Sequence, residues 1–212
     1  NIKLINGVQK FQLTDNVNKK NYKFSTHLSG KHNLYNVAAA ICVAIEENIS
    51  IKNIAKGLND FEGVGRRFEL SKIYLADQPH VLIDDYGHHP AEILSTILAT
   101  KEKFPRKKIC MIFEPHRYSR TQQLFDDFIK VLSKVDCLLL LDIYPASEKP
   151  IRGISSKKIA SQISKNHKNV HYLGSQDPID WLQNNHQYFS ILITQGAGTI
   201  SKLNNEIKKK WQ

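Results

Sequence analysis

From Phe68 onward, apolar runs of strand length alternate with amphipathic runs of helix length, and the strand-like runs end abruptly in polar residues. Several of those runs, such as CLLLL at 137–141 and SILIT at 190–194, are apolar without interruption, as strands covered on both faces are. Together these observations predict an α/β fold: a Rossmann-like, doubly wound, mainly parallel sheet. In such a sheet ligands bind outside the carboxyl ends of the strands, so the polar strand ends are where function is sought.

The 212 residues fit one large domain, or one domain plus a piece of another, and a 41% hydrophobic content supplies a core. No apolar run approaches the roughly 18 residues of a membrane span. The opening NIKLINGVQKF lacks the basic-then-apolar order of a signal peptide, so a cytoplasmic location with no membrane partner is expected. Cys42, Cys110 and Cys137 stand far apart among apolar neighbours and read as buried, reduced thiols. The net charge of +10 invites a nucleic-acid reading. The lysines are scattered, however, and the interleaved aromatics of a stacking platform are missing, so no nucleic acid is expected. Small anionic substrates suit the charge equally well.

Residues 1–28 show short stretches of partial alternation at 3–5, 10–13 and 22–26, separated by Asn, Gly and Asp turns, and read as antiparallel strands. A chain opening in mid-pattern reads as the tail of a domain that begins upstream. The Ala-rich run after Gly30 predicts a helix to about residue 47, with His32, Asn33 and Asn36 in its first turn. Asn33 and Asn36 share a face there, and an amide offers the donor and acceptor that an adenine edge requires, unless one is simply a cap. A second short helix spans 50–60, with Ser50 as its cap. Gly63 and Gly65 then precede Arg66 and Arg67, a hinge carrying cations that can reach a phosphate, or else a solvated linker. The domain boundary is placed here, giving domains 1–65 and 66–212.

In the second domain the pattern predicts strands over 70–75, 81–84, 108–113, 137–141, 170–173 and 190–194. Helices are predicted over 91–104, 120–132, 156–165, 179–184 and 199–210. The strand beginning at Val81 delivers Asp84, Asp85, Tyr86, His88 and His89 to one loop, with Pro90 at the start of the next helix. So many ionisable groups at a strand end predict an active-site loop; the plain alternative is Asp84 as a cap and one histidine half-buried. The strand ICMIF delivers Glu114, His116, Arg117 and Arg120. Two guanidiniums three residues apart point to an anionic guest. A third polar loop runs from Asp142 to Glu148. Gly196 and Gly198 precede the last helix, where either an anion or close helix–strand packing explains them.

GKHNxxNxxAA from Gly30, GVGRRFE from Gly63, DDYGHHPAE from Asp84, FEPHRYSRT from Phe113, LDIYPASE from Leu141 and QGAG from Gln195 resemble, in that order, the Mur ligases of peptidoglycan synthesis. HRYSR at 116–120 brings the chain nearest the branch that joins L-alanine to UDP-N-acetylmuramate. The murein tripeptide ligases share the asparagine helix and a similar histidine-pair loop. The resemblance implies an ADP-forming amide ligase using ATP and Mg2+, serving cell-wall biogenesis and, through it, cell shape and division. It implies that 1–65 is the end of a central α/β ATP-binding (ATPase) domain and that 66–212 is a Rossmann-like C-terminal domain. The phosphate loop, the magnesium ligands and the UDP-binding domain would lie upstream, so no metal site is expected in this stretch and no independent catalysis. By resemblance His88 is the base, Arg117 and Arg120 hold the amino acid's carboxylate, and His116 and Tyr86 line its pocket. Asp85 then contacts the nucleotide or orients a histidine, His32, Asn33 and Asn36 read the adenine, and Arg67 with Arg66 touches the phosphates. The competing readings are the tripeptide ligase activity and a nucleotide-binding module without chemistry.

Overall fold

The computed structural model describes residues 1–212 apart from Asn1, Asn6, Ser29 and Glu62 and the side chain of His32. The chain divides into two compact units, 1–64 with 98–103, and 65–97 with 104–212.

In the first unit, β1 (Ile2–Ile5), β2 (Val8–Asp15) and β3 (Lys20–Thr26) form an antiparallel sheet in that order. The β2–β3 turn is set by Asp15, whose Oδ1 accepts from the amides of Val17 and Asn18. Helices α1 (Lys31–Glu46) and α2 (Ile51–Asp60) follow. Ser50 caps α2 as expected, accepting from the Asn53 amide at 3.3 Å. Alternation in β2 turns Phe11 inward between exposed Lys10 and Gln12, and Phe11 joins Phe24, Leu34, Val37, Ile41 and Ile54 in the core. Cys42 departs from its expected burial. It follows fully buried Ile41, one residue further round the helix, and is exposed.

The second unit is a six-stranded sheet in the order β4-β5-β9-β6-β7-β8. Its elements are β4 (Glu69–Leu75), β5 (Gln78–Asp85), α3 (Pro90–Lys103, of which residues 98–103 count with the first unit), β6 (Ile109–Phe113), α4 (Tyr118–Gln123), α5 (Phe125–Leu132) and β7 (Cys137–Leu141). After them come α6 (Ser156–Ile163), β8 (Val170–Gly174), α7 (Pro178–Asn185), β9 (Ile191–Gln195) and α8 (Ile200–Trp211). β4 runs antiparallel to β5 and the other pairs are parallel. The steps β5 to β6 to β7 to β8 all run one way across the sheet, and right-handed crossovers put their helices on one face. The step back to β9 puts α7 on the other.

The core follows that winding. Cys110, Ile112, Leu139 and Leu192 pack with Ile179 and Leu182 of α7 and Leu203 and Ile207 of α8. The alternate residue Phe113 meets Phe128 of α5, ring centroids 5.7 Å apart, on the opposite face. Cys110 and Cys137 are register partners on adjacent strands, and burial pushes the Cys110 thiol well up. The expected helix over 120–132 is two helices. Leu124, at φ −113° and ψ 24°, leaves the helical range and separates α4 from α5, a single-residue departure that apolar periodicity does not register.

Candidate active site

The two carboxylates ending β5 turn inward. Asp84, 3% exposed, accepts from Arg66 Nε at 3.3 Å, from Asn204 Nδ2 at 3.1 Å and from Thr194 Oγ1 at 3.4 Å. Burial pushes its carboxyl up, against the pull of Arg66. It is not a helix cap. It ties Arg66 and α8 to the strand. Asp85 is also buried, and its oxygens accept from the amides of Phe68 at 2.9 Å and Gly87 at 2.8 Å and from Gln195 Nε2 at 2.7 Å. From there Asp85 shapes the loop. Gly87 is glycine because a Cβ would fall 2.7 Å from Asp85 Oδ1 and closer still to the Gln195 amide. Gln195, fully buried, also donates to the Gly87 carbonyl at 3.1 Å. Sequence reasoning took Gln195 only as the start of QGAG. The available signal was an amide closing an otherwise apolar strand.

The loop so held divides the histidine pair. Glu92 Oε2 accepts from the amides of His88 at 2.9 Å and His89 at 3.0 Å. Burial opposes ionisation of Glu92, but these two amides outweigh it and hold the carboxyl below its usual range. His89 is exposed, and its Nδ1 accepts the Ala91 amide at 3.3 Å, so this ring is engaged at the start of α3. The His88 ring sits edge-on to Tyr86, centroids 5.5 Å apart, with Nδ1 3.3 Å from the Tyr86 carbonyl. Tyr86 is exposed, and the Arg66 guanidinium lies 5.3 Å from its ring centre.

His116 meets this loop from β6. Its ring centroid lies 5.7 Å from that of His88, and it stacks on Tyr144 at 5.3 Å. Arg120 Nη1 donates to His116 Nδ1 at 3.3 Å and to the His116 carbonyl at 3.1 Å. Burial, then His88, Arg120 and Arg117, depress the His116 pKa, with Glu148 opposing. Arg117 heads α4 with φ +76°, a left-handed conformation costing roughly 1–3 kcal/mol. The β7 loop holds it there. The Arg117 amide donates to the Tyr144 carbonyl at 2.8 Å, and the Tyr144 amide to the Pro115 carbonyl at 2.8 Å.

Glu148 gives that third loop a defined part. It accepts from the Ser119 amide at 2.9 Å and hydroxyl at 2.6 Å, which hold its carboxyl low, and it lies 3.7 Å from Arg117 Nη1. Each of the two guanidiniums has a neighbour of its own chain: Arg120 leans on His116, and Arg117, half-exposed, has a carboxylate beside it. The loops beginning at residues 84, 114 and 142 nonetheless meet at one edge of the sheet, around His88, His116, Arg117, Arg120 and Tyr144.

The QGAG segment, by contrast, is closed from within. Glu114, 5% exposed, accepts from the Ile200 amide at the start of α8 at 3.0 Å and from Thr199 Oγ1 at 2.5 Å. A Cβ on Gly196 would lie 2.7 Å from the Glu114 carbonyl, and one on Gly198 would fall on the Glu114 carboxylate and the Tyr144 ring. Close packing explains both glycines, and the helix end already holds an anion of its own chain.

Arg66 is likewise committed, with Nη2 donating to the Gly196 carbonyl at 2.7 Å in addition to the Asp84 pair, while Arg67 is exposed. In the first unit Asn33 is buried, and Asn36, three residues on and just past the first turn of α1, is exposed. The side chain of His32 lies outside the described residues. Among the described residues no group of three His, Cys, Asp or Glu side chains could hold a metal ion. None of the described helices is long and apolar enough to cross a membrane.

Residues 66–198 match the family model described as Mur ligase, glutamate ligase domain. The chain is similar in fold to the UDP-N-acetylmuramate-alanine ligase MurC of Thermotoga maritima, with a TM-score of 0.74 and 22% identity, covering 96% of this chain and 43% of that one. It is similar to a murein peptide ligase from Psychrobacter arcticus, with a TM-score of 0.63 and 19% identity over 98% of this chain and 43% of that one. A folylpolyglutamate synthase from Thermotoga maritima gives a TM-score of 0.66 and 13% identity over 99% and 46%. The chain thus spans less than half the length of each of these structures.

Proposed function

Since the chain belongs to the Mur ligase family, whose glutamate ligase domain its residues 66–198 match, we propose that it is the amino-acid-binding part of a UDP-N-acetylmuramate–L-alanine ligase. Members of the family are ATP-dependent amide ligases that use ATP and Mg2+ and act on small molecules. In this reading 1–65 closes the central ATP-binding domain, 66–212 is the C-terminal domain, and the enzyme works in the cytoplasm on a precursor of the cell wall.

The observation that carries the reading is the meeting of His88, His116, Arg117 and Arg120 at the carboxyl edge of the sheet. The reaction joins an amine to a phosphorylated carboxyl group. The amine nitrogen bonds to the acyl carbon, and phosphate leaves with the electron pair of the broken C–O bond. Two protons leave the ammonium nitrogen on the way to the amide N–H: one goes to a base, which frees the lone pair for attack, and the other goes to the departing phosphate. His88 suits the role of that base. Its Nδ1 faces the Tyr86 carbonyl, which leaves Nε2 to take the proton. Arg117, half-exposed, holds the amino acid's carboxylate and the charge that builds on the tetrahedral carbon. Arg120 acts through His116 as well as through its own charge. Tyr86 bounds a small side-chain pocket. Asp85 organises the loop beneath, and Asn36 and Arg67, both exposed, are the groups free to meet adenine and phosphate. The described residues do not form a magnesium cluster, and no step here is assigned to a metal.

The test is ADP release with UDP-N-acetylmuramate and a panel of amino donors, after the chain is joined to the ATP-binding part of the enzyme. L-Alanine is expected to give the highest kcat/KM. Preference for a tripeptide transfers the assignment to murein peptide ligation. Nucleotide binding without amine-dependent turnover makes the chain a non-catalytic module.

A further inference from the structure

His88 and His116 face each other, but their Nδ1 atoms have opposite partners. Around His88 Nδ1 are two acceptors, the Tyr86 carbonyl at 3.3 Å and Glu92 Oε2 at 3.9 Å. A nitrogen between a carbonyl and a carboxylate carries the hydrogen, so the Nε2 of the neutral ring is bare. Around His116 Nδ1 stands a donor, Arg120 Nη1, at 3.3 Å. A guanidinium never accepts, so this Nδ1 is bare and Nε2 carries the hydrogen. Stacking on Tyr144 at 5.3 Å holds the plane of the ring, and the Arg120 contact selects the orientation that turns Nδ1 toward the guanidinium. Arg117 and Glu148, from α4 and the β7 loop, complete the charges around it, and the cationic neighbours disfavour a second proton.

We propose that His88 and His116 are fixed in opposite neutral tautomers, so that the site presents a bare imidazole nitrogen and an imidazole N–H side by side. Resting on the ligase reading, this deepens it. The bare nitrogen takes the amine's proton, while the N–H of His116 donates to the oxyanion that forms as that amine attacks. His116 is then a donor rather than a second base, and Arg120 is the positioning residue that makes it one.

The test is a long-range 1H–15N spectrum of the histidine rings, recorded near pH 8 on the labelled chain, where unprotonated rings prevail. His88→Gln and His116→Gln assign the signals. Expected are a pyrrole-type Nδ1 with a pyridine-type Nε2 for His88, and the reverse for His116. Arg120→Met should merge the two His116 nitrogens into averaged shifts, and Arg120→Lys, which keeps a donor, should preserve them. If Arg120→Met does not fold, the wild-type spectrum decides alone. Averaged or equal patterns in the wild type, or an unchanged His116 in a folded Arg120→Met chain, overturn the proposal. These signals need neither ATP nor substrate. Opposite tautomers in a chain without ligase activity would defeat the functional reading and leave the pair standing; reversed tautomers in an active enzyme would do the opposite.

Discussion

The loops that leave β5 and β9 start on neighbouring parallel strands and end at the same edge of the sheet. After β5, the carboxylates of buried Asp85 and exposed Glu92 take the backbone amides, which leaves the side chain of Tyr86 exposed and that of His88 partly exposed beside His116. After β9, a side chain from β6 enters instead. Glu114 takes the first helical amide and the Thr199 hydroxyl, and Gly196 and Gly198 leave room for it. A polar strand end becomes a binding site only when the chain does not satisfy its polar groups itself. The β5 loop is built to present groups, and the β9 loop to be filled.

The largest effect should come from emptying the filled loop. Glu114→Ala removes a carboxylate acceptor from the start of α8 and from Thr199, and is expected to cost about 3 kcal/mol in urea unfolding. A loss below about 1 kcal/mol would mean that Glu114 is not what closes that site. Gly198→Ala should follow at about 1–3 kcal/mol, because its methyl meets Glu114 and Tyr144. A neutral result would open the β9 loop to a ligand again.

On the presenting side the effects are smaller. His116 has a depressed pKa in the folded chain, so between that value and its ordinary value of 6.5 the unfolded chain binds more protons. Stability should therefore fall as pH drops from 6.5 through the folded pKa, and His116→Gln should flatten that part of the curve. An unaltered pH dependence in the variant would show that His116 is not held neutral by its neighbours. Smallest of all, Arg117→Ala should change stability by less than about 0.5 kcal/mol, since a half-exposed pair at 3.7 Å is worth little in water. A large loss would make Arg117 part of the scaffold.

The elements of the second unit were legible because its strands are apolar and its helices amphipathic, and the boundaries of CLLLL agree with β7 residue for residue. What escaped was set by partners far away in the chain. Nothing near Glu114 announces Thr199, and nothing near Asp85 announces Gln195. Arg66 looked like a phosphate-seeking cation until Asp84 and the Gly196 carbonyl claimed it. The histidine pair could be read as chemistry, with His88 singled out only by the resemblance; the physical difference lies in the Ala91 amide on His89 and the Tyr86 carbonyl beside His88. The break at Leu124 was hidden because both short helices keep the apolar spacing of one long helix.

The central claim is that three loops converge to hold and deprotonate an amino acid. It is tested most directly by ADP release against L-alanine concentration, for wild type and Arg117→Ala, in the enzyme that includes the ATP-binding part. The expected result is a fall in kcat/KM of more than about tenfold with an unchanged unfolding midpoint. Wild-type turnover in Arg117→Ala would contradict it.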